Sequence, residues 1–173
     1  MSQIVLYSGE MFTESYDTYA TDVQNYQEVT SLPQVKSLKV SSGTWIVFSE
    51  KDFSGDIAVY KAGNYGSGLK VKTIGSFRKL SGHLENPVIT VFDQTSYQGS
   101  HQEYKDPEYQ TVRLPILSHK VGNGVWILYN SAGLHGKSIV SIQGDEVTDE
   151  SVTALEGPVK SLKAYLIYEG EKQ

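Results

Sequence analysis

The chain repeats itself. Ser37–Gly55, SLKVSSGTWIVFSEKDFSG, returns 81 positions later as SHKVGNGVWILYNSAGLHG, Ser118–Gly136. Ser37, Lys39, Val40, Gly43, Trp45, Ile46 and Gly55 fall on Ser118, Lys120, Val121, Gly124, Trp126, Ile127 and Gly136. A recurrence at fixed offset means a recurring unit of structure. In 173 residues, that offset divides the chain into two domains of about 80 to 90 residues, each large enough to bury its own core.

Both halves read as β structure. The run IVLY at 4–7 leads into the turn-forming SGEMFTES, and Val35–Val40 alternates apolar and polar residues. Ser41-Ser42-Gly43 is expected to turn the chain before a strand at Trp45–Phe48. A hairpin at 50–55, a strand at 56–60, a turn at Ala62-Gly63-Asn64 and a strand at 76–80 complete the first half. The polar segment carrying Tyr16, Tyr19, Val23 and Tyr26 favours strand and loop over helix. From Val88 the programme restarts, with strands expected at 88–92, near Tyr104, and at 117–121, 125–129, 138–142 and 159–168. Ser81–Pro87 joins turn residues to a proline that breaks pairing, so the expected bounds are a first domain at 1–82, a linker at 83–87 and a second domain at 88–173. Short strands at even spacing imply an all-β fold of two antiparallel sandwiches. Composition agrees, with 39% hydrophobic residues, 20% charged and twelve tyrosines.

Each half is itself double. Four segments set an aromatic, four residues, a bulky apolar or aromatic residue, one more residue and usually Gly: Tyr7…Phe12…Glu14, Phe48…Phe53…Gly55, Phe92…Tyr97…Gly99 and Tyr129…Leu134…Gly136. A serine follows each about 20 to 30 residues later, at Ser37, Ser76, Ser118 and Ser161. A hairpin folded back over its own sheet needs Gly where a Cβ would crowd the turn, an aromatic to cover the fold and a hydroxyl to satisfy unpaired backbone groups. In these features the whole chain resembles the βγ-crystallins, whose motif is Tyr/Phe/Trp-x4-Tyr/Phe/Trp-x-Gly with a later serine closing the hairpin. The resemblance implies two double Greek-key β-sandwich domains, with Trp45 and Trp126 in their cores. It also implies a tyrosine corner at Tyr60-Lys61-Ala62-Gly63-Asn64-Tyr65.

Departures carry their own expectations. Glu14 stands where the first motif has Gly, so that hairpin either bears strain of about 1 kcal/mol or is reshaped. Leu134 replaces the inner aromatic of the fourth motif. The second half has no tyrosine in Ser141–Glu146, so looser structure is expected near residue 146.

Calcium-binding members of the resembled family carry Asn/Asp-Asn/Asp-x-x-Ser/Thr-Ser. Here the residues ending at the four serines are LPQVKS, VKTIGS, RLPILS and EGPVKS, without the acidic or amide pair and with Lys36, Gly75, Leu117 or Lys160 at the fifth position. A weak, partly backbone-built calcium site near Glu10, Glu50 or Asp93, in the hairpin turns, remains the candidate. No other cofactor is expected. His83, His101, His119 and His135 have no zinc spacing and read as surface or rim histidines. Ser81-Gly82-His83 lacks the support a nucleophile needs. The acidic Asp145, Glu146, Asp149 and Glu150 read as a solvated loop, and Gly63–Gly68 as a turn rather than a phosphate cradle.

A net charge of -5 gives no field for nucleic acid, and the absence of cysteine removes disulfides and thiolate chemistry. No apolar stretch approaches a membrane span and no leader is evident, so a cytosolic location is expected. The expected protein is a non-enzymatic structural one, with a calcium-binding module as the alternative. It is expected to be a monomer whose partner is itself, through domain pairing within or between chains.

Overall fold

The computed structural model describes residues 1–105, 107–109 and 111–170. It divides into two units, Met1–Ser81 with the chain from Ile167 onward, and Gly82–Leu166.

Unit 1 contains β1 (Ile4–Tyr7), β2 (Tyr16–Tyr19), the one-turn helix α1 (Tyr26–Val29), β3 (Ser37–Glu50), β4 (Ser54–Tyr65) and β5 (Ser76–Leu80). β3 serves two sheets. Its first part pairs with β1 and with the end of β4, Leu38 opposite Tyr65; its second pairs with β5 and the start of β4, Trp45 opposite Tyr60. The register shifts between Val40 and Thr44, where Gly43 takes φ +72°. The expected turn at 41–43 is therefore a bulge in one bent strand, a conformation that glycine adopts without a Cβ clash. Each sheet thus borrows one strand end from the other half of the unit, which is the interlocking of a double Greek key.

Unit 2 repeats the plan with β6 (Val88–Phe92), β7 (His101–Tyr104), β8 (Glu108–Tyr109), β9 (Ser118–Asn123), β10 (Val125–Ser131), β11 (His135–Ile142), β12 (Glu146–Val147) and β13 (Ser161–Ala164). The strand orders are β12-β9-β6-β7 and β11-β10-β13-β8, all antiparallel. β13 is shorter than the expected 159–168.

The cores lie between the sheets. In unit 1 Ile4, Leu6, Leu38, Trp45, Val47 and Phe77 pack together, with the Trp45 and Phe77 rings edge-on at 5.9 Å. In unit 2 Ile89, Val121, Trp126, Leu128 and Leu162 do the same. Each indole nitrogen finds an acceptor, Trp45 in Ser2 Oγ at 2.9 Å and Trp126 in the Asn123 carbonyl at 3.2 Å, so the rings are buried without an orphan donor.

The unit boundaries differ from the expected 1–82, 83–87 and 88–173. Residues 82–87 belong to unit 2 because Asn123 Nδ2 donates to the carbonyls of Glu85 and Asn86 at 2.7 and 2.8 Å, and Leu84 is buried. The chain from Ile167 belongs to unit 1, where Glu169 donates its N–H to the Val59 carbonyl at 2.6 Å and Lys61 lies 5.2 Å over the Tyr168 ring.

Candidate functional site

Four folded hairpins are closed by four serines with one geometry. Ser37 Oγ donates to the Gly9 carbonyl at 2.6 Å and accepts the Phe12 N–H at 3.0 Å. Ser76 does the same with Glu50 and Phe53 at 2.6 and 3.0 Å, Ser118 with Gln94 and Tyr97 at 2.6 and 3.1 Å, and Ser161 with Ser131 and Leu134 at 2.6 and 3.0 Å. All four serines are wholly buried. Each hydroxyl therefore satisfies one donor and one acceptor that the fold-back removes from the sheet ladder, and its loss would strand both.

The backbone cost of the fold-back is the same in each copy. Phe12, Phe53, Tyr97 and Leu134 all sit in the left-handed region, at φ +63°, +57°, +61° and +60°. Such positions cost a side-chain-bearing residue about 1 kcal/mol or more and persist only where surrounding contacts hold them. The serine hydrogen bonds hold all four, and in three copies ring packing adds to them: Tyr7–Phe12, Phe48–Phe53 and Phe92–Tyr97 lie 5.7, 5.8 and 5.6 Å apart between centroids.

Two further fourfold features escaped the sequence reading. One residue after each outer aromatic, a short polar side chain accepts a backbone N–H seven positions on: Ser8 from Ser15 at 3.2 Å, Ser49 from Asp56 at 2.8 Å, Asp93 from Ser100 at 2.8 Å and Asn130 from Lys137 at 2.9 Å. A Cβ added at Gly99 would overlap Asp93 Oδ1, so glycine is required there by this clamp as well as by φ +77°. Glu14 meets the same position at φ +67° with its side chain beside Ser8, so the first hairpin keeps its shape and bears the strain. The second feature is a cation two residues after each closing serine. Lys39 lies 4.5 Å from the Phe12 ring centroid, Arg78 5.2 Å from Phe53 and Lys120 4.2 Å from Tyr97. Lys163 is the fourth cation, and Leu134 offers it no ring. Identical spacing from the serines was the available signal.

At the corner of unit 1, Tyr65 OH donates to the Lys61 carbonyl at 2.8 Å, and its ring packs edge-on against Tyr60 at 4.7 Å. Unit 2 ties the matching corner with Asp145, whose Oδ2 accepts the Ile142 N–H at 2.9 Å.

Unit 2 also corrects two expectations. His119 is wholly buried, whereas His83, His101 and His135 are exposed as read from sequence. Glu150, assigned to a solvated loop, is wholly buried against it. His119 sits on a strand position whose side chain faces the core, and its ring nitrogens are taken by Glu150 Oε1 and by Ser141 Oγ, the latter at 2.9 Å. The order Ser–His–Glu resembles a nucleophilic relay, yet the Ser141 hydroxyl is buried at 2% exposure. Two surface cavities, of about 300 Å³ beside Phe92, His101, Tyr104 and Arg113 and about 500 Å³ beside Phe12, Asn64, Tyr65 and Lys70, are not lined by it.

Glu10, Glu50 and Asp93 lie on three different hairpins, Glu10 in a 3-10 turn, Glu50 at the end of β3 and Asp93 with one oxygen engaged as a clamp. Among the described residues no three His, Asp or Glu side chains gather as a metal site. No helix of the described residues is long and apolar enough to cross a membrane.

A second polar centre lies in unit 1, where Asp17 Oδ2 accepts from Tyr26 OH at 3.0 Å, Tyr19 OH at 3.3 Å and Thr30 Oγ1. Burial, with the Asp17 charge beside it, pushes the Tyr19 phenol up to about 12 and that of Tyr26 higher still.

The family model described as Beta/Gamma crystallin matches residues 3–80. Gamma-crystallin N of Rattus norvegicus is 28% identical, the match covering 95% of either chain, and Beta-crystallin A2 of Macropus fuliginosus is 27% identical over 80% of this chain and 78% of its own. Among solved structures, Geodin, a beta-gamma crystallin from Geodia cydonium, aligns over 95% of this chain and 99% of its own, at 16% identity and a TM-score of 0.40.

Proposed function

We propose that this chain, similar to the βγ-crystallins in residues 3–80 and to Gamma-crystallin N over nearly its whole length, is a non-enzymatic structural protein of that type, cytosolic and monomeric, whose selected property is the persistence of its fold. The observation that carries this reading is the fourfold closure: at each fold-back a wholly buried serine makes both available hydrogen bonds. The Ser141–His119–Glu150 grouping is sealed from solvent, and one carboxylate oxygen of the calcium candidate Asp93 already serves its own hairpin.

Isothermal titration with calcium, run beside thermal melts in calcium and in chelator, tests the reading. No heat and no change in melting are expected. A stoichiometric heat with a raised melting temperature would overturn it in favour of a calcium-binding module built on Glu10, Glu50 or Asp93. Sedimentation at rising concentration tests the monomer, and a mass that grows with concentration would replace it with pairing between chains.

A further inference from the structure

Unit 2 buries a polar chain where unit 1 buries hydrocarbon. Ser118 precedes His119 as Ser37 precedes Leu38, and Ser141 pairs with Trp126 as Tyr60 pairs with Trp45. Leu38 and Tyr60 belong to the apolar core of unit 1. Their counterparts His119 and Ser141 hydrogen-bond to each other at 2.9 Å, and His119 closes on Glu150. Both members of the His119–Glu150 pair are wholly shielded from water.

We infer that this chain is a proton-sensitive latch, holding the segment Asp145–Thr153 on unit 2 and releasing it when the proton count of the His119–Glu150 pair changes. With the imidazole protonated and the carboxylate ionised, the buried pair is neutral and each group faces its counter-charge. Loss of the proton leaves a buried carboxylate without its imidazolium, and among the described residues its Oε2 has no hydrogen-bond partner to absorb the charge. Gain of a second proton leaves a buried imidazolium alone. Either state carries the penalty of an uncompensated buried charge, which opening the segment to water removes.

The neighbouring charges do not substitute. On β11 the partner is the neutral Ser141, and on the adjoining corner Asp145 lies 3.5 Å from that hydroxyl and holds the Ile142 N–H. Lys120 of β9 and Glu146 of β12 are 4.0 Å apart and about half exposed, compensating each other in solvent. Asp149 is occupied with the Ser151 N–H at 2.9 Å. The segment's other ties include Val121 N–H to the Asp145 carbonyl at 3.0 Å, Asp145 N–H to the Ile142 carbonyl at 2.9 Å, Ser96 N–H to the Thr148 carbonyl at 2.7 Å, Glu150 N–H to the Leu117 carbonyl at 2.9 Å and the two-residue strand β12.

The sign follows from proton counting. An imidazole open to water gives up its proton above the imidazole range, and a carboxylate open to water takes one up below the carboxylate range. Above the imidazole range the opened form holds fewer protons than the closed pair, so closure weakens as pH rises; below the carboxylate range it holds more, so closure weakens as pH falls. The latch is tightest between the two.

Hydrogen exchange of the whole protein at about pH 4, 6 and 8, corrected for intrinsic rates, tests this. The opening constant of amides in 145–153 should be smallest at the middle value and about tenfold larger at the alkaline one, while amides in 62–70 of unit 1 stay level. In the double variant His119→Leu with Glu150→Leu, the response of 145–153 should flatten. An equal response of both segments in the unmodified protein would overturn the latch whether or not the variant folds, as would an undiminished response in a folded variant.

Discussion

Leu134 donates its backbone N–H to Ser161 Oγ at 3.0 Å, although it has no ring to place over the hairpin that the bond closes. The fourth fold-back thus has the same φ, the same serine and the same clamp as the other three, without the stacking that stabilises them. The backbone geometry is set by the hydrogen bonds, and the aromatic adds energy to it.

Leu134→Tyr should therefore stabilise unit 2. A ring at 134 meets Tyr129 from one side and Lys163 from the other, and together these contribute about 1 kcal/mol. Urea melts followed by Trp126 fluorescence measure it, and an unchanged midpoint would show that the fourth hairpin cannot seat a ring.

Glu14→Gly should also stabilise, in unit 1. Relief of the left-handed strain at φ +67° outweighs the greater freedom of glycine in the unfolded chain, for a net gain of about 0.5 to 1 kcal/mol. A loss in the same melt would mean that the contact of Glu14 with Ser8 matters more than the backbone.

Tyr65→Phe removes one hydroxyl and keeps the ring packed on Tyr60. The cost should be about 1 kcal/mol, that of one hydrogen bond to a partly exposed carbonyl. A loss as large as that of a core truncation would assign the corner's strength to something other than this bond.

Alkali should weaken unit 1. Burial raises the phenols of Tyr19, Tyr26 and Tyr60 above their ordinary 10.0, Tyr19 to about 12. The folded state therefore keeps protons that the unfolded chain gives up, so this stability is whole below about pH 10 and is lost as pH rises toward 12. Phenolate absorbance rising together with loss of the Trp45 signal is the expected outcome; titration of these tyrosines with the fold intact would contradict it.

The repeat, the aromatic spacing and the serines were legible in the sequence because each imposes a residue type at a fixed distance. The clamp at Ser8, Ser49, Asp93 and Asn130 was not, since three residue types meet the same need for a short acceptor. His119 and Glu150 were misplaced because charge in a polar stretch reads as solvated; only the three-dimensional pairing of β9 with β12 and the turn after it shows that each is the other's shield. The unit boundaries moved for a similar reason. Nothing local in Tyr168 and Glu169 announces a partner at Lys61, Lys70 or Val59, about a hundred residues earlier.

Closure of the hairpins is seen most directly at the four amides of Phe12, Phe53, Tyr97 and Leu134, each donated to a buried serine. Native-state hydrogen exchange on these amides is the decisive measurement. Protection within about 1 kcal/mol of each unit's global unfolding is predicted; exchange as fast as that of exposed loop amides would contradict closure by the serines.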